Sequence, residues 1–168
     1  MDMQLPFTPD ETGEVVAARR GSPARLIEYT HGRHVALPVH TTLELMALPA
    51  LIEVPGAAYY ARGLLKWQGR HLPVVDLYTL LRAYPNDLPQ RLRYALIVAY
   101  QTAPREPVRH GALALPALPQ TVEVTDDDQC DLPDDSDLWP LLALSCFRYD
   151  GRAVPILDGG RLFGSSHA

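Results

Sequence analysis

The sequence predicts an all-β protein with a few short helices, built as small barrels. Three observations predict this. Short apolar segments with period-two alternation recur along the 168 residues, separated by turn residues. The chain holds 16 prolines and 11 glycines; proline fits neither a helix interior nor a central sheet ladder, so the elements must be short. Hydrophobic residues make up 47% and charged residues 21%, an ordinary globular balance with enough apolar surface for a packed core.

Residues 1–22 are polar and punctuated by Pro6, Pro9 and Gly21-Ser22-Pro23, and read as a mobile leader. A strand is expected over 25–30, a turn at His31-Gly32 and a return strand over 34–39. In that return strand Val35, Leu37 and Val39 alternate with His34, Ala36 and Pro38. Segments 41–46 and 48–54 read as strands interrupted by Pro49 and Pro55. A hairpin follows, with strands over 61–67 and 70–75 around Gln68-Gly69. Asp76 is placed to cap a short helix with Leu77, Leu80 and Leu81 on one face, ended by Pro85-Asn86-Asp87. Further strands are expected over 93–100, 111–115 and 121–124, then an acidic loop. A last hairpin runs over 141–149 and 152–157 around Asp150-Gly151, and Asp158 caps a final short helix through Leu162 and Phe163.

One order of elements occurs twice. A strand pair with a glycine turn runs into Leu-Pro or Val-Pro, then an aspartate, then a short helix, at 69–81 and at 151–163. This points to two similar subdomains within one unit over 23–164, with 165–168 as a tail.

The formal net charge is -5. Seven aspartates (Asp126, Asp127, Asp128, Asp131, Asp134, Asp135 and Asp137) crowd one stretch without a Lys or Arg among them, so the rest of the chain is close to neutral. A nucleic-acid binder would carry a dense basic face, and none is visible. Single-stranded nucleic acid on a small aromatic barrel is the second function class, and the charge argues against it. The start Met1-Asp2-Met3-Gln4 lacks the pattern of a signal peptide. No apolar run reaches the ~18 residues of a membrane span. A cytoplasmic protein is expected.

Catalytic chemistry finds little footing. His31 and His34 have H-x-x-H spacing, but no further ligand stands in register with them. His40, His71, His110 and His167 are scattered. An EF-hand counted from Asp126 would place Asp131 where glycine is required and Asp137 where glutamate is required. No G-x-S-x-G, Walker or dinucleotide fingerprint occurs. Cys130 and Cys146 read as two separate thiols of a reduced compartment, Cys146 buried on a strand and Cys130 exposed, with a disulfide between them as the alternative. A small hydrolase using Cys130 or a histidine is the third function class. Neither cofactor nor metal is expected.

The stretch Val54-Pro55-Gly56, Arg62-Gly63-Leu64-Leu65 and Pro73-Val74-Val75-Asp76-Leu77 resembles the central signature of the CheW adaptor family. Leu43-Glu44-Leu45 upstream, 111–115, and Val154-Pro155-Ile156-Leu157-Asp158 downstream are similar to other parts of that family, so the resemblance spans about residues 24 to 164. It implies two SH3-like five-stranded β-barrels sharing a hydrophobic core. It also implies a non-catalytic adaptor that binds the regulatory domain of a CheA-type histidine kinase and the cytoplasmic tip of chemoreceptors. Partner-binding residues would be Glu44, Gly63, Lys66, Trp67, Gln68 and Gly69. The chain departs from the family at Lys66-Trp67-Gln68-Gly69, where the usual pattern is Asn-Leu-Arg-Gly, and at Leu115-Pro116-Ala117, where it is apolar-Val-Asp. Gln68 keeps hydrogen-bonding capacity but loses the fixed charge and two-pronged fork of arginine. That divergence suits a specialised system, such as one controlling type IV pili, or a decoy adaptor that binds the kinase without receptors.

Overall fold

The computed structural model describes residues 21–47, 49–81 and 91–164. Residues 1–20 of the expected leader, the helix stop at Pro85-Asn86-Asp87 and the tail from 165 lie outside them, and the end of the leader at residue 22 is corrected, because Ser22 opens the first strand. Among the described residues eleven strands form two sheets. They are β1 (Ser22–Thr30), β2 (Arg33–Pro38), β3 (Thr42–Ala47), β4 (Leu51–Ile52), β5 (Ala61–Trp67), β6 (Arg70–Val75), β7 (Tyr94–Tyr100), β8 (Arg109–Leu115), β9 (Gln120–Val124), β10 (Ala143–Tyr149) and β11 (Arg152–Leu157). Three short helices are interspersed: α1 (Leu77–Leu81), α2 (Trp139–Leu142) and α3 (Gly159–Gly164).

The first sheet has the order β10-β11-β2-β1-β9 and the second β3-β7-β8-β6-β5-β4. Counting the two-residue β4, the second sheet therefore has six strands where five are implied by the resemblance. The first sheet joins the two ends of the chain, because β11 pairs in parallel with β2 through Ile156 and Ala36. The second is continuous in sequence, and β6 pairs in parallel with β8.

The repeat seen in the sequence is a structural one. Gln68 and Gly69 turn the β5–β6 hairpin with φ of 47° and 75°, and Asp150 and Gly151 turn β10–β11 with 51° and 76°. Two successive positive φ values define the turn whose twist matches that of the paired strands. Each hairpin carries a register shift at its start, between Ala61 and Gly63 and between Ala143 and Ser145. Each ends in a capping aspartate. Tyr78 N–H donates to the Asp76 carboxylate at 3.1 Å, and Gly160 N–H donates to that of Asp158 at 3.1 Å.

Ala24, Leu26, Ala36, Phe147 and Val154 fill the first barrel. Leu65, Trp67, Leu72, Val74, Ala95, Ile97, Ala112 and Ala114 fill the second. A larger core lies between them, with Ile27, Val35 and Leu37 from one barrel, Val75, Leu96 and Leu113 from the other, and Leu77, Trp139, Leu142 and Leu162 from the helices.

Three local expectations are corrected. Leu141 and Leu142 belong to α2 and not to the last hairpin, because Pro140 cannot donate to a ladder but suits a first helical turn. Strand β2 stops at Pro38, and Val39 enters a 3-10 turn. Of the expected strand 48–54, residues 49–54 are described, and among them only Leu51 and Ile52 are strand. The acidic loop also has more structure than its charge suggests. Asp128 closes a capping box with Thr125 around a short 3-10 turn, and Asp135 accepts a 2.6 Å hydrogen bond from the indole N–H of Trp139.

Candidate functional site

The β5–β6 hairpin gathers most of the residues singled out from the sequence. Gln68 and Gly69 form its exposed tip. A side chain at Gly69 would meet nothing within 4 Å, so the glycine serves the φ of 75° and not a close contact. Lys66 is exposed and stands opposite His71 on the outer face.

Trp67 faces inward and is buried among the second barrel's apolar residues. Its ring packs at a tilt on His110, with centroids 5.0 Å apart. Its indole N–H reaches the rim and donates to the carboxylate of Glu44 on β3 at 2.5 Å. Glu44 itself is exposed. Between core and partner anchor, the two roles left open by the sequence, the ring takes the core. The hydrogen bond ties β5 to the edge strand β3, although β7, β8 and β6 lie between them in the order of the second sheet.

His110, one of the scattered histidines of the sequence, comes into this site. It lies half-buried against Trp67, and its Nδ1 is enclosed without a hydrogen-bond partner among the described residues. Burial lowers its pKa below the usual 6.5, and the nearby Arg70 charge pushes the same way.

Gly63 sits apart from the tip, at the other end of β5. It is buried, with φ of 118°, and a Cβ there would lie 2.4 Å from the carbonyl oxygen of Ile52. The glycine therefore lets β4 close onto β5. Next to it Arg62 pairs with Asp76 at 2.9 Å. Asp76 is buried and also accepts from the Thr79 hydroxyl at 3.1 Å. The sequence showed Asp76 as a cap but not this ion pair, because nothing local brings position 62 to position 76 before the hairpin closes.

The outer face carries a row the sequence did not reveal. Ile52 stands opposite Leu64, and Leu64 opposite Pro73, across three adjacent strands. Ile52 is 48% exposed, Pro73 is exposed and Leu64 half-exposed. Val54 and Tyr59, in the segment between β4 and β5, are exposed as well. Aliphatic residues on both faces of β5 hid this row: an apolar run does not say which side is wet.

Among the described residues no group of three or more His, Cys, Asp or Glu side chains is gathered as a metal site. His34 instead lies 3.5 Å from Glu28 and edge-on to Tyr149. No described helix is long and apolar enough to cross a membrane.

The model of the CheW-like domain matches residues 27–167 of this chain. The chain belongs to the CheW-like domain family. This CheW-like chain also resembles a solved structure, the scaffolding protein TtCheW from Thermoanaerobacter tengcongensis. The TM-score is 0.69 at 12% identity, covering 88% of this chain and 96% of that one. At that identity the likeness carries the fold: the two-barrel CheW architecture. No curated protein matches the chain.

Proposed function

We propose that this CheW-like chain is a non-catalytic adaptor that couples the cytoplasmic tip of chemoreceptors to the regulatory domain of a CheA-type histidine kinase. The family match over most of the chain carries this reading. The outer face of the β4–β5–β6 sheet supports it, since a row of aliphatic side chains beside Lys66 and His71 offers a partner an apolar centre with a polar rim. Glu44, Lys66, Gln68 and Gly69 form the contact region at the hairpin tip. Trp67 positions Glu44, and Gly63 holds β4 in place beneath the row. The chain works in the cytoplasm at receptor arrays, and its system is a specialised one such as that controlling type IV pili.

Titration of the purified chain against the kinase regulatory domain from its own host tests the reading. Wild type is expected to bind, and Leu64→Glu to bind at least tenfold more weakly at unchanged melting temperature. Absence of wild-type binding to both the kinase domain and a receptor tip fragment would remove the adaptor reading. Gln68 in place of the family arginine favours a second reading, a decoy that binds the kinase alone. Kinase binding without receptor binding, with receptor binding gained by Gln68→Arg, would select it.

A further inference from the structure

In the second barrel β4 covers the middle of β5, with Leu51 opposite Leu65 and Ile52 opposite Leu64. In the first barrel the corresponding cover is the segment after the acidic 3-10 turn, where Gln129 bridges to Phe147 on β10. One step further along this antiparallel pair Cys130 faces Cys146, and the Cys130 N–H donates to the Cys146 carbonyl at 3.1 Å. Where the second barrel has the aliphatic pair Ile52 and Leu64, the first has two thiols with sulfurs 3.6 Å apart. Both cysteines are free. Expected as separate thiols, they are neighbours across one strand pair.

We propose that Cys130 and Cys146 are an oxidation site at which a peroxide forms an intramolecular disulfide that covalently closes the first barrel. The edges of that sheet are β9 and β10. The segment bearing Cys130 is the strap between them, held to β10 by the bridge at Gln129 and Phe147. A bond from Cys130 to Cys146 fixes that strap, and encloses the loop 131–145 with its acidic residues and α2.

The order of events follows from exposure. Cys146 is buried, and its thiol is pushed up to about 12, first by burial, then by its hydrogen bond with Cys130. Cys130 is half-buried and reachable from solvent. Its thiolate attacks one peroxide oxygen, the O–O bond breaks, and the departing hydroxide leaves as water after taking up a proton. The resulting sulfenic sulfur is attacked by the sulfur of Cys146. The S–S bond forms, the S–O bond breaks, and the oxygen leaves as a second water with the Cys146 proton. Two thiols are oxidised and one peroxide is reduced. Asp131 adds to the upward push on the Cys146 thiol, so attack by that sulfur is slow compared with cysteines set among cationic groups.

The test treats the reduced full chain with hydrogen peroxide, then unfolds it, alkylates free thiols and weighs the intact protein. Expected are loss of both alkylatable thiols, an intact monomer lighter by two hydrogens, and a peptide joining Cys130 to Cys146 that dithiothreitol releases. The melting temperature of the oxidised chain is expected to rise by about 5–10 °C over the reduced chain, as for a short closed loop. Oxygen added to Cys130 while Cys146 stays alkylatable would overturn the proposal. So would a dimer joined through Cys130, or two thiols that survive peroxide. In Cys130→Ser, Cys146 is expected to resist the peroxide that consumes the wild-type pair.

Discussion

Two glycines on one hairpin hold their places for different reasons, and substitution separates them. Gly69 needs only its positive φ, whereas Gly63 needs a positive φ and the space below Ile52. Gly69→Ala is expected to cost about 1 kcal/mol, the ordinary penalty of a left-handed alanine. Gly63→Ala is expected to cost roughly 3 kcal/mol, because β4 must also move. Urea unfolding of both variants reads the difference directly. His110 gives a pH prediction. Its folded pKa lies below that of the unfolded chain, so the unfolded state takes up the proton first as pH falls. Its contribution is complete above about pH 6.5 and is lost progressively below it, towards the folded pKa. Wild type is expected to lose more stability than His110→Phe between neutral and acidic pH in parallel denaturation curves.

At the scale of elements, local chemistry made some parts readable and left others hidden. The hairpin 61–75 and its capped helix follow from alternation, a glycine turn and Asp76, all within a few residues of one another. The last hairpin was readable for the same reasons, except that Pro140 diverts Leu141 and Leu142 into α2. The partners of these hairpins were not readable, since β6 beside β8 and β11 beside β2 depend on distant segments meeting. The same limit hid the cysteine pair, the Trp67–Glu44 bond and the outer apolar row. Asp76 joins the readable and hidden parts, as it caps α1 and neutralises Arg62. Asp76→Ala is expected to destabilise by about 2–3 kcal/mol, from the lost cap and a half-buried arginine left without its carboxylate. Asp76→Asn keeps the cap and is expected to cost about half as much. Thermal melts of the two variants against wild type measure the ratio.

Over the whole molecule, the two barrels are repeats that share one large core. The first barrel is assembled from both ends of the described chain and the second from its middle. Ile27, Leu37 and Leu157 of one barrel pack in the same cluster as Val75, Leu96 and Leu113 of the other. Neither barrel can lose its structure without exposing the other's apolar surface. Unfolding is therefore expected as a single transition with equal calorimetric and van 't Hoff enthalpies, and two resolved transitions in calorimetry would show that the barrels are energetically separate. The β4–β5–β6 face and the hairpin tip belong to the second of these two barrels, which are packed on one core. In the proposed function this face recruits a chemosensory kinase and receptors. Affinity capture from the native host, with wild type and Leu64→Glu as parallel baits and mass spectrometry as the readout, tests it most directly. A CheA-type kinase and chemoreceptors are expected with wild type and are expected to be lost with Leu64→Glu; a folded wild-type bait that recovers neither would overturn the adaptor function.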